Sequence, residues 1–109
     1  MIINNDSEPV LNLPVDIGQY KFWYKLCALS YVESVYLFGS RARGDGRCRS
    51  DIDIAVNCPD ASLQEWQEIL NIIEYADTLL GIDLVRYDSL GDSLFKRKID
   101  ESKVVIYER

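Results

Sequence analysis

Residues 37–56 read LFGSRARGDGRCRSDIDIAV. The stretch holds the end of an apolar run, a Gly-Ser pair, four arginines and two aspartates one residue apart. It decides the fold because it joins two strand signals through one turn. Residues 34–38 (SVYLF) are rich in strand formers and stop at Gly39. Residues 51–56 (DIDIAV) alternate polar and apolar, the period of a strand with one buried face. Between them, residues 40–49 carry Gly44 and Gly46 among the arginines, and read as one short turn of helix and then a loop.

On the N-terminal side, residues 14–29 (PVDIGQYKFWYKLCAL) read as a helix, with Pro14 and Asp16 suited to its first turn. Ile17, Tyr20, Tyr24 and Cys27 or Ala28 recur at helical spacing. Phe22 and Trp23 fall partly off that face, so they read either as a wide core stripe or, with Tyr24, as a partner surface. On the C-terminal side, Ser62-x-x-Glu65 is a capping-box pattern that opens a helix running to about Leu80. Leu63, Trp66, Ile69 or Leu70, Ile73, Ala76 and Leu80 make its expected buried stripe, and Gly81 suits the position just past its end. Residues 82–87 (IDLVRY) read as a third strand. Asp88 or Ser89 then caps a short helix to about residue 100. Lys96, Arg97 and Lys98 would lie near its end, where cations suit the helix dipole. Val104 to Tyr107 read as a fourth strand. This order predicts an α/β (α+β) layer structure, a small mixed sheet of three to four strands flanked by helices. Residues 1–13 read as a flexible N-terminal segment and 14–109 as one domain.

Composition narrows the function. The chain has 109 residues and a net charge of -6, so a broad basic face for general nucleic-acid binding is not expected. No run approaches the ~20 apolar residues that span a bilayer, and MIINNDSEPV does not look like a secretory signal. There is no histidine, which removes a His base and most zinc sites. Cys27, Cys48 and Cys58 form no C-x-x-C pair and read as reduced thiols of a cytoplasmic protein.

The carboxylates carry the chemistry. On a strand, Asp51 and Asp53 share one face, ~7 Å apart, while Ile52, Ile54 and Val56 take the other. Two like charges so placed repel. They read as an edge strand with a wet face, or as ligands of a hard divalent cation such as Mg²⁺. Asp83, on the next strand, supplies a third carboxylate. Three carboxylates on two strands can hold two Mg²⁺ ions for an in-line phosphoryl displacement. Gly39, directly after a strand, permits a sharp turn and close approach of an anion. Ser40 can cap the next turn or offer its hydroxyl to phosphate. Arg41 and Arg43, nearest the turn, rank ahead of Arg47 and Arg49 as phosphate ligands, through forked hydrogen bonds.

Gly39-Ser40, ten residues, then Asp51-x-Asp53 resembles the signature of the DNA polymerase β nucleotidyltransferase superfamily. The stretch FGSRARGDGRCRSDIDIAV looks in particular like the minimal nucleotidyltransferase (MNT) domains of prokaryotes, and the similarity covers roughly residues 15–108. The resemblance implies that Gly39 and Ser40 hold nucleotide phosphates, and that Asp51, Asp53 and Asp83 bind Mg²⁺. It implies transfer of a nucleoside monophosphate from ATP with release of pyrophosphate. It also implies an antitoxin role in a toxin–antitoxin module, with adenylylation of a HEPN-domain toxin as partner.

Little room for an acceptor pocket is expected after the last strand, which suits an acceptor delivered by a partner protein and equally a nucleotide-binding subunit whose partner completes the active site. Two other readings stand beside this one. A non-catalytic antitoxin would inhibit its partner by complex formation, through Phe22, Trp23 and Tyr24. A small-molecule transferase, such as one modifying an aminoglycoside, would need an acceptor domain that is not evident.

Overall fold

In the computed structural model, which describes residues 10–44 and 51–109, the two strand signals flanking the arginine run pair with each other. Four strands form one sheet: β1 Ser34–Phe38, β2 Ile52–Asn57, β3 Ile82–Arg86 and β4 Val104–Glu108, in the order β3-β2-β1-β4. β1 runs antiparallel to β2 and β4, while β2 and β3 are parallel. The sheet is therefore mixed, as expected. The parallel pair needs a crossover, and the helix α3 (Leu63–Glu74) supplies it.

Burial follows the sequence pattern. β1 is interior and covered on both faces, which is why its run is apolar throughout instead of alternating. In β2, Ile52, Ile54 and Val56 are fully buried on one face. There they pack with Val35, Leu37, Ile69 and residues of α1 (Phe22–Cys27). On the opposite face Tyr36 and Ala55 meet Ile99 of α4 (Leu94–Ser102), with Phe38, Tyr87 and Leu90 at the margin. Among the described residues, no helix is long and apolar enough to cross a membrane.

Three of the helices depart from expectation. The helix expected over 14–29 is only α1, six residues long, preceded by a turn in which Ile17 and Gly18 N–H donate to the Pro14 carbonyl. Its free N–H groups are satisfied from far away in sequence: the Asp77 carboxylate accepts from Lys21 N–H at 2.9 Å and Phe22 N–H at 3.2 Å. Phe22 and Trp23 lie in the core, and the Trp23 indole donates to the Ile17 carbonyl at 3.0 Å. They are not the partner surface they were offered as, although Tyr24 is exposed.

α3 has the expected capping box, with Glu65 N–H to Ser62 Oγ at 3.1 Å and Ser62 N–H to Glu65 Oε1 at 2.9 Å. It stops at Glu74 and not near Leu80, because Asp77 and Thr78 turn the chain to reach α1 and Leu80. Ile69 is the buried member of its stripe, while Leu63 is exposed. Gly81 is thus no helix cap; its carbonyl accepts from Ile52 N–H at 2.8 Å.

Tyr87–Ser89 form a single 3₁₀ turn, and Ser93, not Asp88 or Ser89, caps α4 by accepting from Lys96 N–H at 3.1 Å. Lys96, Arg97 and Lys98 consequently run only to the middle of α4 and leave its last turn without a cation, so the dipole does not account for them. Asp88 has other work. It accepts from Cys58 N–H and pairs with Arg86, whose guanidinium also donates to the Cys58 and Ala61 carbonyls. The N-terminal segment is described from Val10 on. Asn12 N–H donates to the Ile106 carbonyl at 2.8 Å, and Leu11 and Leu13 pack on the core. Cys27 and Cys58 are buried free thiols, pushed up to about 12 and about 11 by burial. Cys48 lies outside the described residues.

The Asp77 bridge can be tested on its own. The N–H groups of Lys21, and then Phe22, hold its carboxyl below the ordinary carboxylate value. Its contribution is full above that ordinary value and fades as pH falls through the lowered one. Asp77→Ala should lower stability by about 1 kcal/mol near neutral pH, with the deficit shrinking below about pH 4. Equilibrium denaturation at several pH values checks both; equal stability of the two proteins at neutral pH would remove the cap from the account.

Candidate active site

The β1–β2 register sets Phe38 opposite Asp53, so the end of β1 and the start of β2 meet at one end of the sheet. The chain must turn there at once. Gly39 does so with φ +73°, and opens the five-residue helix α2 (Gly39–Arg43). Gly39 is needed twice over. The left-handed φ disfavours a side chain. Moreover, a Cβ at this position would overlap Asp53 Oδ2 and lie 3.0 Å from its Cγ. The carboxylate of Asp53 therefore rests directly on the Gly39 backbone.

The parallel β2–β3 register adds the third acid, with Asp83 opposite Asp53. Adjacent strands lie ~4.8 Å apart, which brings the two carboxyl groups within reach of a hydrogen bond when one of them is protonated. Asp51, just before β2, lies over Gly81: a Cβ there would be 2.7 Å from Asp51 Oδ1. Two glycines thus form the floor under two carboxylates. Asp51, Asp53 and Asp83 come together as the sequence predicted, and Gly39 comes with them. Gly81 was missed, because the helix before it was read as ending about six residues too late; its signal is the Gly-x-Asp spacing to Asp83.

The crowding leaves an electrostatic mark. Asp53 is pushed up to about 6, by burial first, then by the hydrogen bond and charge of Asp83 and the charge of Asp51; Arg43 opposes the shift. Ionising Asp53 becomes costly as pH rises from the ordinary carboxylate range to about 6. A divalent cation would relieve that cost, and an all-oxygen donor set suits a hard one. Among the described residues, no three acidic or thiol groups close around a single point as a finished metal cage. The carboxylates form an open edge at which phosphate oxygens and water would complete a cation's shell.

The arginines divide. Arg43 stands near enough to Asp53 to influence it, and lines a cavity with Phe38, Gly39, Phe95 and Lys98. Arg41 has a different place. Its side chain is only 5% exposed and its Nη1 lies 2.8 Å from Asp16 Oδ2, so it fastens α2 to the turn over 14–18. The geometry supports Arg43 over Arg41 as a phosphate ligand. Ser40, half-buried, follows Gly39 in α2. Arg47 and Arg49 lie outside the described residues.

The family model described as Polymerase beta, Nucleotidyltransferase matches residues 25–109. The chain belongs to this family. A protein of Methanocaldococcus jannaschii, whose name gives it an inferred protein adenylyltransferase activity, is 36% identical over 77 residues, 69% of this chain and 77% of the relative. Two solved structures share the fold. One is a toxin–antitoxin with AMP-PNP, at TM-score 0.56 and 23% identity, covering 81% of this chain and 72% of the other. The second is a protein from Sulfolobus solfataricus assigned by inference as a nucleotidyltransferase, at TM-score 0.54 and 24% identity, covering 81% and 75%. The chemistry of this nucleotidyltransferase is therefore nucleotidyl transfer.

Gly39 and Gly44 make a paired test. Both have positive φ, yet among the described residues nothing lies within 4 Å of a Cβ placed at Gly44. Either Gly→Ala change should cost roughly 1 kcal/mol of stability through strain. Only Gly39→Ala displaces Asp53, so transfer should fall at least about 100-fold there and stay near the parent rate in Gly44→Ala. Similar activity in the two variants would show that the Gly39–Asp53 contact does not set the geometry.

Proposed function

We propose that this nucleotidyltransferase is a Mg²⁺-dependent protein adenylyltransferase that acts as the antitoxin of a HEPN-type toxin. The observation that carries the transfer chemistry is the convergence of Asp51, Asp53 and Asp83 on the edge formed by Gly39 and Gly81. The choice of a protein acceptor is supported by the name of the Methanocaldococcus relative. The antitoxin role is supported by the motif resemblance, and agrees with the toxin–antitoxin that shares the fold.

In this reading the three aspartates hold two Mg²⁺ ions, which when bound offset the phosphate charge and make the acceptor hydroxyl easier to deprotonate. Ser40 and Arg43 orient the triphosphate of ATP through hydrogen bonds to its oxygens. A hydroxyl of the partner, a tyrosine by the family pattern, attacks the α-phosphorus. The new P–O bond forms as the bond to the β-phosphate oxygen breaks, and pyrophosphate leaves. Asp83, the more exposed of the two facing carboxylates, takes the hydroxyl proton. No histidine is required.

The binding-only alternative loses its motivating surface, since Phe22 and Trp23 are buried. A labelling reaction separates the two readings. Wild type with Mg²⁺, the neighbouring gene's product and α-labelled ATP should label that partner, whereas γ-labelled ATP should not. Asp53→Asn should reduce labelling by about 10³-fold or more while folding normally, since it removes a charge from a crowded site. An Asp53→Asn variant that labels as wild type does would refute the assignment. Inhibition of the partner with no label from either protein would favour binding alone.

A further inference from the structure

We propose that the cavity between α2 and α4 receives the pyrophosphate half of the nucleoside triphosphate, with Lys98 as its ligand on the α4 side. The inference rests on the transfer reaction proposed above. The cavity measures about 230 Å³ and is lined by Gly39 and Arg43 on one side and by Phe95, Lys98 and Glu101 on the other. That is about eight waters' share of liquid volume, the size class of a diphosphate.

Its position is the first argument. Gly39 carries Asp53 against its backbone and also lines the cavity. With no side chain at Gly39, a phosphate chain engaged at the carboxylates can pass over the glycine into the cavity. The nearest wall is apolar: Phe38 and Phe95 meet edge-to-face with centroids 6.0 Å apart. Such a wall strengthens the attraction between an anion and the cations beside it.

Charge is the second argument. Around α4 the basic side chains have acidic partners: Lys96 and Lys103 with Asp100 at 3.1 and 2.9 Å, and Arg97 with Asp92 at 3.3 Å. Lys98 differs. Among the described residues its ammonium has no ion pair or hydrogen bond, although Glu101 lies one turn away. It sits at the middle of α4, outside the last turn, where the helix dipole gives no reason for a cation. It shares the cavity with Arg43, so two cations from two helices flank one space beside the reacting phosphate. As the bond to the α-phosphate breaks, negative charge grows on the departing pyrophosphate. The Lys98 side chain stabilises that charge electrostatically; no proton or electron is transferred to or from it.

The test uses the full chain and inorganic pyrophosphate with Mg²⁺, followed by calorimetry. Lys98→Ala should raise the pyrophosphate dissociation constant about tenfold, and the KM for ATP by a similar factor. Binding of AMP should not change. Lys98→Arg should recover most of the loss. Arg97→Ala, which removes an equal charge from a residue paired outside the cavity, should bind pyrophosphate as wild type does. Lys98→Ala binding as Arg97→Ala binds would overturn the proposal, and so would an equal loss for AMP and pyrophosphate. If wild type labels its partner and Lys98→Ala labels with unchanged KM, the phosphate subsite alone fails. If wild type neither labels nor binds pyrophosphate, the transferase reading fails with it.

Discussion

The contact of the Asp53 carboxylate with the bare backbone of Gly39 is the constraint on which the site depends. It exists because β1 ends opposite the start of β2, so that Phe38 pairs with Asp53 and the chain must reverse in the next residue. A single residue of slip would turn Asp53 into the apolar core and Ile52 or Ile54 into the site. The full burial of Ile52, Ile54 and Val56 on the opposite face holds the register. Core packing and active-site geometry are thus the same fact seen from two faces of β2.

The arrangement costs stability locally. Burial first, and then the neighbouring carboxylates, push Asp53 up to about 6, and two glycines are spent beneath the acids where side chains could have packed. The surrounding structure compensates by fastening each segment that supports this end of the sheet. Arg41 ties α2 to the N-terminal turn through Asp16. Arg86 ties the loop after β2 to β3, and Asp77 ties the end of the crossover to α1. These bridges explain why so small a domain holds a repulsive cluster in place.

They also mark where sequence reading stops. β1 emerged with its observed limits, β2, β3 and β4 emerged to within a residue at either end, and the capping box of α3 was correct, because strand alternation and capping are local properties. The three aspartates were legible for the same reason: their faces follow from the period of a strand. What was not legible depends on residues distant in sequence. α1 begins at Phe22 because Asp77 caps it, and α3 ends at Glu74 because the chain turns to deliver that cap. Arg41 looked equivalent to Arg43, yet Asp16 claims it. The basic trio of α4 looked like a C-terminal cluster only because its cap was placed at Asp88 or Ser89 and not at Ser93.

The central claim is that the carboxylates beside Gly39 are where nucleotide and metal meet. The most direct measurement is a crystal structure of the chain with Mg²⁺ and a non-hydrolysable ATP analogue. The account requires metal density between the α-phosphate and the carboxylates of Asp51, Asp53 and Asp83, with the phosphates running over Gly39. Nucleotide found instead at the far end of the sheet, in the cavity of about 560 Å³ lined by Tyr31, Glu33, Asn57 and Arg109, would contradict it.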